Sequence, residues 1–166
     1  MLNQKERRMD LEAQTNKKQY IFEGPDGCGK STACLDIIKT NNHVSWLYLP
    51  AFKKPCDISE FNSLVRKELA ELKVIGTNLL KDRSFIISEY VYSRVFKRRI
   101  YCKKKHIKKL CKIIKQQNIS LTFCFAEKPI LKVEDAHMPN KRLSKAYKKL
   151  MLLLKKWEVN FSVKDI

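Results

Sequence analysis

Residues 19–40 read QYIFEGPDGCGKSTACLDIIKT, and this stretch decides which fold the sequence predicts. Residues 19–23 are rich in β-forming residues and stop at a glycine, whereas residues 30–40 place apolar side chains near helical spacing. Between them, residues 24–31 match the pattern G-x-x-x-x-G-K-[ST]. This loop contains three of the four glycines in the chain: Gly24, Gly27 and Gly29. A strand, a glycine-rich loop and a helix in this order predict a phosphate-binding site.

Phosphate chemistry explains why these residue types stand at this spacing. Glycines let successive backbone N–H groups turn toward a phosphate oxygen. Lys30 can reach the β- and γ-phosphates as a point charge, and the Ser31 hydroxyl can ligate Mg²⁺. The helix that follows directs the positive end of its dipole at the anion. We therefore expect ATP and Mg²⁺ as cofactors, with the nucleotide bound by Gly24, Asp26, Gly27, Cys28, Gly29, Lys30, Ser31 and Thr32.

The rest of the chain continues the alternation of strands and helices. Further strands are predicted at residues 44–49, 77–81, 119–125 and 159–163. Helices are predicted after a cap at Asp57 or Ser59, over residues 88–116 in one or two pieces, and over residues 141–156. This alternation favours a mainly parallel sheet that is covered on both sides. We predict a three-layer α/β fold of the P-loop NTPase type with five strands.

The same patterns divide the 166 residues into two parts. Residues 1–17 are predicted to form a flexible or weakly helical extension. Residues 18–166 are predicted to form one nucleotide-binding domain, with a short lid around residues 127–142. No apolar run approaches the roughly 20 residues of a membrane-spanning helix, and the N-terminus lacks the apolar segment of a secretory signal. We therefore expect a cytoplasmic protein with no membrane partner.

Cysteine usage and charge narrow the function further. The six cysteines stand at irregular spacings without a C-x-x-C pair, which argues against a zinc site and a thioredoxin-type redox motif. Because no secretory signal is predicted, a disulfide framework is not expected either. The net charge is +18, and residues 90–126 contain eleven Lys and Arg and no Asp or Glu. This basic region is interpreted either as the solvated face of an amphipathic helix or as a surface for nucleic acid or another acidic partner. No helix-turn-helix, zinc-finger or RNA-binding aromatic motif accompanies it, so nucleic acid is not the favoured partner.

Two segments resemble a known enzyme group. Residues 22–32 resemble the first strand and loop of the thymidylate kinase and deoxynucleoside kinase group, in which an acidic residue is favoured at the place of Asp26. Residues 82–92, DRSFIISEYVY, resemble the Asp-Arg motif of thymidylate kinases and the Glu-Arg-Ser motif of deoxynucleoside kinases. The likeness is closest to small thymidylate-kinase-like proteins of bacteriophages. Three features depart from cellular thymidylate kinases. Ser93 stands where those enzymes commonly have glutamine, and Ser88 lies one residue farther from Asp82 than the corresponding serine. The lid after the fourth strand is also shorter.

The resemblance implies a role for several residues. Lys30, Asp82 and Arg83 would be catalytic. Asp82 would either help hold Mg²⁺ through water, with Ser31 as the other metal-binding residue, or act as a base on a nucleoside hydroxyl. Arg83 would bind the acceptor phosphate or stabilise the transferred charge. Asp26 would contact the acceptor sugar. A homodimer is expected from the resemblance alone.

Five further residues are candidates for substrate or nucleotide contacts. Phe52 follows the end of a strand, where parallel sheets bind ligands, and Tyr92 could stack on a base. Arg94 and Arg98 lie four residues apart on one predicted helical face, beside the acceptor motif. Arg142 is the lid residue best suited to bidentate phosphate contact.

These expectations converge on one function and two alternatives. The first is ATP- and Mg²⁺-dependent phosphoryl transfer to a deoxynucleoside monophosphate. The first alternative is a deoxynucleoside kinase that acts on the 5′-hydroxyl. The second is a basic nucleic-acid-binding P-loop NTPase or a degenerate nucleotide-binding module.

Overall fold

A computed structural model describes most of the chain from residue 18 onward. The described residues are 18–41, 45–49, 54–74, 78–126 and 140–165. The predicted N-terminal extension, Phe52 and residues 127–139 of the predicted lid lie outside these ranges. None of the helices in the described ranges is long and apolar enough to cross a membrane.

Five strands form one sheet in the order β2-β3-β1-β4-β5. The strands are β1 (Gln19–Glu23), β2 (Trp46–Leu49), β3 (Asn78–Asp82), β4 (Ser120–Phe125) and β5 (Ser162–Asp165). Every neighbouring pair is parallel. The predicted α/β class with a five-stranded sheet is therefore confirmed, and within the described ranges the sheet is wholly parallel.

Five helices connect or flank these strands. They are α1 (Lys30–Thr40), α2 (Ile58–Glu71), α3 (Phe85–Val95), α4 (Lys104–Gln116) and α5 (Asn140–Lys156). Of the two predicted caps for α2, the structure uses Asp57, whose side chain accepts a hydrogen bond from the backbone N–H of Glu60 at 2.8 Å. The region predicted as helix over 88–116 forms two helices, α3 and α4.

Alternate side chains of the strands pack into two separate clusters, because successive residues of a strand point to opposite faces. Ile21, Leu79 and Phe123 belong to the main core, together with apolar residues of α2 to α5. Phe22 and Leu80 belong to a smaller cluster formed with α1. The sheet therefore lies between α1 on one face and the other four helices on the opposite face.

This arrangement places a crevice beside β1. The chain leaves β1 toward α1 on one face, whereas it leaves the neighbouring β3 toward α3 on the other face. Where adjacent parallel strands lead to opposite faces, a crevice opens at their carboxyl ends, and open α/β sheets bind ligands there. Gly24 follows β1 and Arg83 follows β3, so both predicted motifs border this crevice.

Two predicted boundaries were wrong. Helix α3 begins at Phe85 rather than at Ser88, because Ser84 caps it by accepting a hydrogen bond from the backbone N–H of Ile87 at 3.2 Å. The fifth strand lies at Ser162–Asp165 rather than at residues 159–163. Val159 is buried, and its N–H donates to the carbonyl of Leu154 at 3.1 Å in the turn after α5. The apolar Val159 side chain is therefore buried in this turn and does not begin the strand.

A buried cation ties β3 to α2. Lys81 is fully buried, with its Nζ 3.2 Å from Glu71 Oε2 and 3.6 Å from Glu68 Oε1. Glu68 is also fully buried, and it accepts hydrogen bonds from the backbone N–H groups of Phe85 at 3.0 Å and Ile86 at 2.8 Å. Burial raises the pKa of Glu68, and the charge of Lys81 opposes that rise. One carboxyl group thus links three elements: α2, β3 and the start of α3.

We expect Lys81→Met to lower the free energy of unfolding by about 3–5 kcal/mol, because it leaves the fully buried carboxyl group of Glu68 without its counter-charge. Urea denaturation measures this change. Lys73→Met is the matched control, since Lys73 is exposed just after α2, and it should change stability by less than about 0.5 kcal/mol. Equal denaturation midpoints for Lys81→Met and the wild type would contradict the prediction.

Candidate active site

The loop between β1 and α1 has the backbone that its glycines predict. Gly24, Gly27 and Gly29 have φ angles of 140°, 70° and 71°, a region that glycine occupies readily and other residues rarely. A Cβ atom at Gly24 would lie 2.1 Å from the carbonyl oxygen of Cys124 in β4. Glycine is therefore required at Gly24 for the loop to pass so close to the sheet.

The N-terminus of α1 lacks the side-chain caps that close the starts of α2 and α3. Its cap residue is Gly29, which has no side chain that could accept a hydrogen bond, and its first turn carries no acidic residue. A helix leaves its first four N–H groups without helical partners, and these groups together with the helix dipole attract anions. The loop and α1 thus form an end suited to a phosphate group.

Lys30 is folded back over this loop. Its side chain is buried, its ammonium donates to the carbonyl of Pro25, and its Nζ lies 3.3 Å from Cys28 Sγ. The Cys28 side chain is itself buried and donates to the same carbonyl, so Cys28 can offer a ligand only its backbone. Thr32 is exposed in the first turn of α1. A phosphate would compete for the Lys30 charge with two neutral groups, the Pro25 carbonyl and the Cys28 sulfur.

Ser31 and Asp82, predicted as a metal-binding pair, are in contact. The register of β1 and β3 pairs Phe22 with Asp82, which brings Asp82 beside the loop. The Ser31 hydroxyl donates to Asp82 Oδ2 at 2.6 Å, and the hydroxyl of Tyr48 in β2 lies 3.2 Å from the same oxygen. In the described ranges, no cluster of three or more His, Cys, Asp or Glu could hold a metal ion.

These two residues nevertheless fit Mg²⁺. This ion prefers oxygen ligands, and it usually takes one or two protein ligands and completes its coordination with water and substrate phosphates. Ser31 supplies a hydroxyl and Asp82 a carboxylate at the mouth of the phosphate loop. Tyr48 was not among the predicted site residues. Burial, followed by the charge of Asp82, raises the pKa of Tyr48 to about 12, which keeps its hydroxyl protonated.

Asp26, Arg83 and Tyr92 form a second cluster. Arg83 Nη2 pairs with Asp26 Oδ1, and Arg83 Nη1 donates to the Tyr92 hydroxyl at 2.8 Å and to the Gly24 carbonyl at 3.2 Å. The Tyr92 hydroxyl donates to Asp26 Oδ2 at 2.9 Å. Arg83 has a φ angle of 75°, which is uncommon for a residue with a side chain. The structure therefore assembles all three residues, from the loop, from the end of β3 and from α3.

Beneath these clusters lies a buried carboxyl that the sequence analysis did not select. Glu23 is fully buried at the end of β1, where it accepts hydrogen bonds from the backbone N–H of Ser84 and from the hydroxyl of Tyr147 at 3.0 Å. Burial raises the pKa of Glu23 to about 7, although the charges of Arg83 and Lys30 act in the opposite direction. An acidic residue that ends an apolar central strand was the available signal.

Three predicted arginines make their described contacts elsewhere. Arg94 donates to the backbone carbonyls of Tyr90 at 2.6 Å and Cys102 at 3.1 Å. Arg98 lies 3.6 Å from Glu89. Arg142 is exposed in the first turn of α5, and it lines a cavity between α3 and α5 together with Arg94. The structure does not bring them into the two clusters, and their proposed phosphate contacts stay predictions.

Comparison with known proteins adds no family to this description. A scan against protein-family models finds none that matches the chain. A search of curated proteins also finds no match. The functional inference therefore depends on the loop geometry and on the residues gathered beside it.

The buried Glu23 predicts a distinctive pH dependence of stability. Its pKa rises from an ordinary value of 4.5 to about 7 on folding, so its contribution to stability is fully present below pH 4.5 and is lost as the pH rises through 7. Glu23→Gln removes this titration. We expect the stability of the wild type relative to Glu23→Gln to fall between pH 4.5 and 8, as measured by urea denaturation across that range.

The matched control is Asp36→Asn, because Asp36 is an exposed carboxyl on α1. Its stability difference from the wild type should stay nearly constant over the same pH range. Parallel stability curves for the wild type and Glu23→Gln would show that Glu23 titrates normally in the folded protein.

Proposed function

We propose that this protein is a P-loop phosphotransferase that uses ATP and Mg²⁺ to phosphorylate a nucleotide, with a deoxynucleoside monophosphate as the acceptor. The observation that carries the proposal is the hydrogen bond between Ser31 and Asp82, which are 51 residues apart in sequence and 2.6 Å apart in space. It joins the end of the phosphate loop to the Asp-Arg motif. A chance match to either motif alone would give no reason for the two to meet.

To catalyse phosphoryl transfer, a protein mainly positions the reacting groups and neutralises their charge. The N–H groups of the loop and of α1 are suited to bind the phosphates of the donor, and Lys30 is suited to neutralise their charge. Ser31 and Asp82 would hold Mg²⁺, which neutralises charge on the β- and γ-phosphates when bound. The donor side of the reaction is thus assigned to the loop with Lys30 and Ser31, and to Asp82, which is hydrogen-bonded to Ser31.

The acceptor side is assigned to the cluster of Asp26, Arg83 and Tyr92. The side chain of Arg83 is 14% exposed, and a planar guanidinium binds phosphate with two parallel hydrogen bonds. Asp82 uses one carboxylate oxygen to accept from both Ser31 and Tyr48, which suits a metal-holding role better than proton abstraction. A monophosphate is already ionised at neutral pH and needs no strong base. These contacts favour a monophosphate acceptor over a nucleoside.

The proposal includes a cytoplasmic location. All six cysteines are free, and five of them are buried. Reduced cysteines are usual in compartments kept reducing, where structural disulfides are rare.

We expect acceptor-dependent ADP formation when the protein is given ATP, Mg²⁺ and a panel of nucleosides and nucleoside monophosphates. Lys30→Ala and Asp82→Asn should each lower the turnover rate about 10²–10³-fold, because each removes charge stabilisation from the transition state. A coupled assay for ADP measures the rate. Lys39→Ala and Asp36→Asn are matched controls, since both residues are exposed on α1 and outside the site.

Two outcomes would contradict this assignment. Absence of acceptor-dependent ADP formation across the whole panel, with intact ATP binding, would identify a nucleotide-binding module in place of a kinase. Full activity of Asp82→Asn would show that the Asp82 carboxylate is not needed to hold Mg²⁺.

Arg83→Lys tests which acceptor is used, because it keeps the charge and loses the bidentate geometry. We expect the KM for nucleoside monophosphates to rise about 10-fold, with little change for nucleosides that carry no phosphate. Steady-state kinetics with both acceptor classes measures the difference, and the melting temperature checks the fold. An equal effect on nucleosides and monophosphates would favour the deoxynucleoside kinase alternative.

A further inference from the structure

The net charge of the protein resides in two segments. Residues 90–126 and 140–156 together contain eighteen of the 35 Lys and Arg residues and none of the 17 Asp and Glu residues. The remaining seventeen cations equal the 17 acidic residues elsewhere, so these two segments carry the whole excess of +18. They include α4, α5 and the end of α3. Most of these cations have no role in the proposed phosphotransferase site.

These helices border three adjoining depressions. The first, between α3 and α5, has a volume of about 370 Å³, and the second, of about 330 Å³, lies between the start of α4 and the end of α5. They meet at Leu153. The third, of about 370 Å³, shares Lys108 and Trp157 with the second. We name this surface, which follows α5 from Arg142 to Lys156 and continues past Trp157 along α4, the cationic groove.

The cationic groove combines an apolar floor with charged margins. Its floor includes Val95, Ala146, Leu150 and Leu153, and in the described part of the chain every charged residue that lines it is Lys or Arg. The cations on α5 are Arg142, Lys145, Lys149 and Lys156. A ligand that fits must therefore offer both apolar side chains and negative charge along one length.

The aromatic side chains of the groove disfavour nucleic acid. Single-stranded nucleic acids bind by stacking bases on aromatic faces. In this groove, Arg94 covers the ring of Tyr90 at 3.6 Å, and the ammonium of Lys108 lies 5.5 Å from the centre of the Trp157 ring. Apart from these two rings, the described lining is aliphatic or thiol, so it offers a base few faces on which to stack. Cationic margins alone would hold phosphates, but the floor would stay uncovered.

A second copy of the chain and a lipid surface fit less well. A twofold dimer through this surface would place its lysines and arginines against the same lysines and arginines, and like charges repel. A bilayer is flat on this scale, whereas the apolar atoms here lie at the bottom of a groove. A helix is the convex element that enters such a groove, with its apolar face inward.

We propose that the cationic groove docks an acidic amphipathic helix of a partner protein. Helix α5 has 17 residues and is therefore about 25 Å long, so a partner helix of about 16 residues would cover the groove. Apolar side chains at i, i+3, i+4 and i+7 would contact the floor, and carboxylates on both sides of this stripe would meet the lysines. The proposal does not depend on the phosphotransferase reaction.

The test uses a fluorescent synthetic peptide of about 16 residues, with leucines at i, i+3, i+4 and i+7 and glutamates on the flanks. We expect binding in the micromolar range by anisotropy, and a scrambled peptide of the same composition should bind at least about 10-fold more weakly. Lys145→Glu combined with Lys149→Glu should weaken binding at least about 10-fold, and so should Leu153→Glu alone. In a Trp46→Phe background, Trp157 is the remaining tryptophan, and its emission should change on binding.

The matched control is the double variant Lys39→Glu and Lys73→Glu, because both lysines are exposed outside the groove. It should bind the peptide like the wild type. Melting temperatures check the fold, and Lys145→Gln and Lys149→Gln replace the charge reversals if the double variant does not fold. Equal binding of the scrambled peptide would overturn the proposal. Tighter binding of a single-stranded oligonucleotide or of phosphatidylserine vesicles through the same residues would also overturn it.

Discussion

The start of helix α3 is the constraint on which the rest of the structure depends. Its first N–H groups lie in the protein interior, where an unpaired donor costs about 1–3 kcal/mol. Each finds a partner: Glu23 accepts from Ser84, Glu68 accepts from Phe85 and Ile86, and the Ser84 hydroxyl accepts from Ile87. The carboxyls come from β1 and α2, so closing this helix end fixes two other elements. It also fixes the two residues just before it, Asp82 and Arg83, at the crevice.

The contrast between two helix starts explains where an anion can bind. Helix α3 is closed by two carboxyl groups and a hydroxyl, which satisfy its N–H groups and oppose its dipole. Helix α1 begins beside it with a glycine cap and no acidic residue in its first turn. The same crevice therefore has one helix end whose N–H groups are already satisfied and one whose N–H groups are suited to bind a phosphate. Glu23, the last residue of β1, is hydrogen-bonded to the start of α3 and to Tyr147 of α5, so β1, α3 and α5 share one buried group.

The sequence predicted those features that depend on local pattern and missed those that depend on register. The loop, α1 and the Asp-Arg motif are contiguous motifs, and their elements lie where expected. The contact of Tyr48 with Asp82 requires the alignment of β2 beside β3, which no local pattern specifies. Strand β5 was misplaced because all four of its residues are exposed, so it lacks the apolar alternation that marks a half-buried strand. Glu23 was missed because its burial results from packing against α3 and α5.

The separation of charge within the chain bears on both proposals. Beside the loop, Arg83 pairs with Asp26 and Lys30 contacts the neutral Pro25 carbonyl, whereas Lys81, buried against α2, pairs with Glu68 and Glu71. Under the proposed function, incoming phosphates would therefore meet a few positioned charges, and bulk positive charge would not be needed to hold them. On α4 and α5 the cations have no acidic neighbours in sequence, and their mutual repulsion opposes the compact state. Charge repulsion on this surface destabilises the free protein, and an acidic partner that covers the surface would relieve it. Binding of such a partner therefore explains the excess positive charge better than nucleotide binding does.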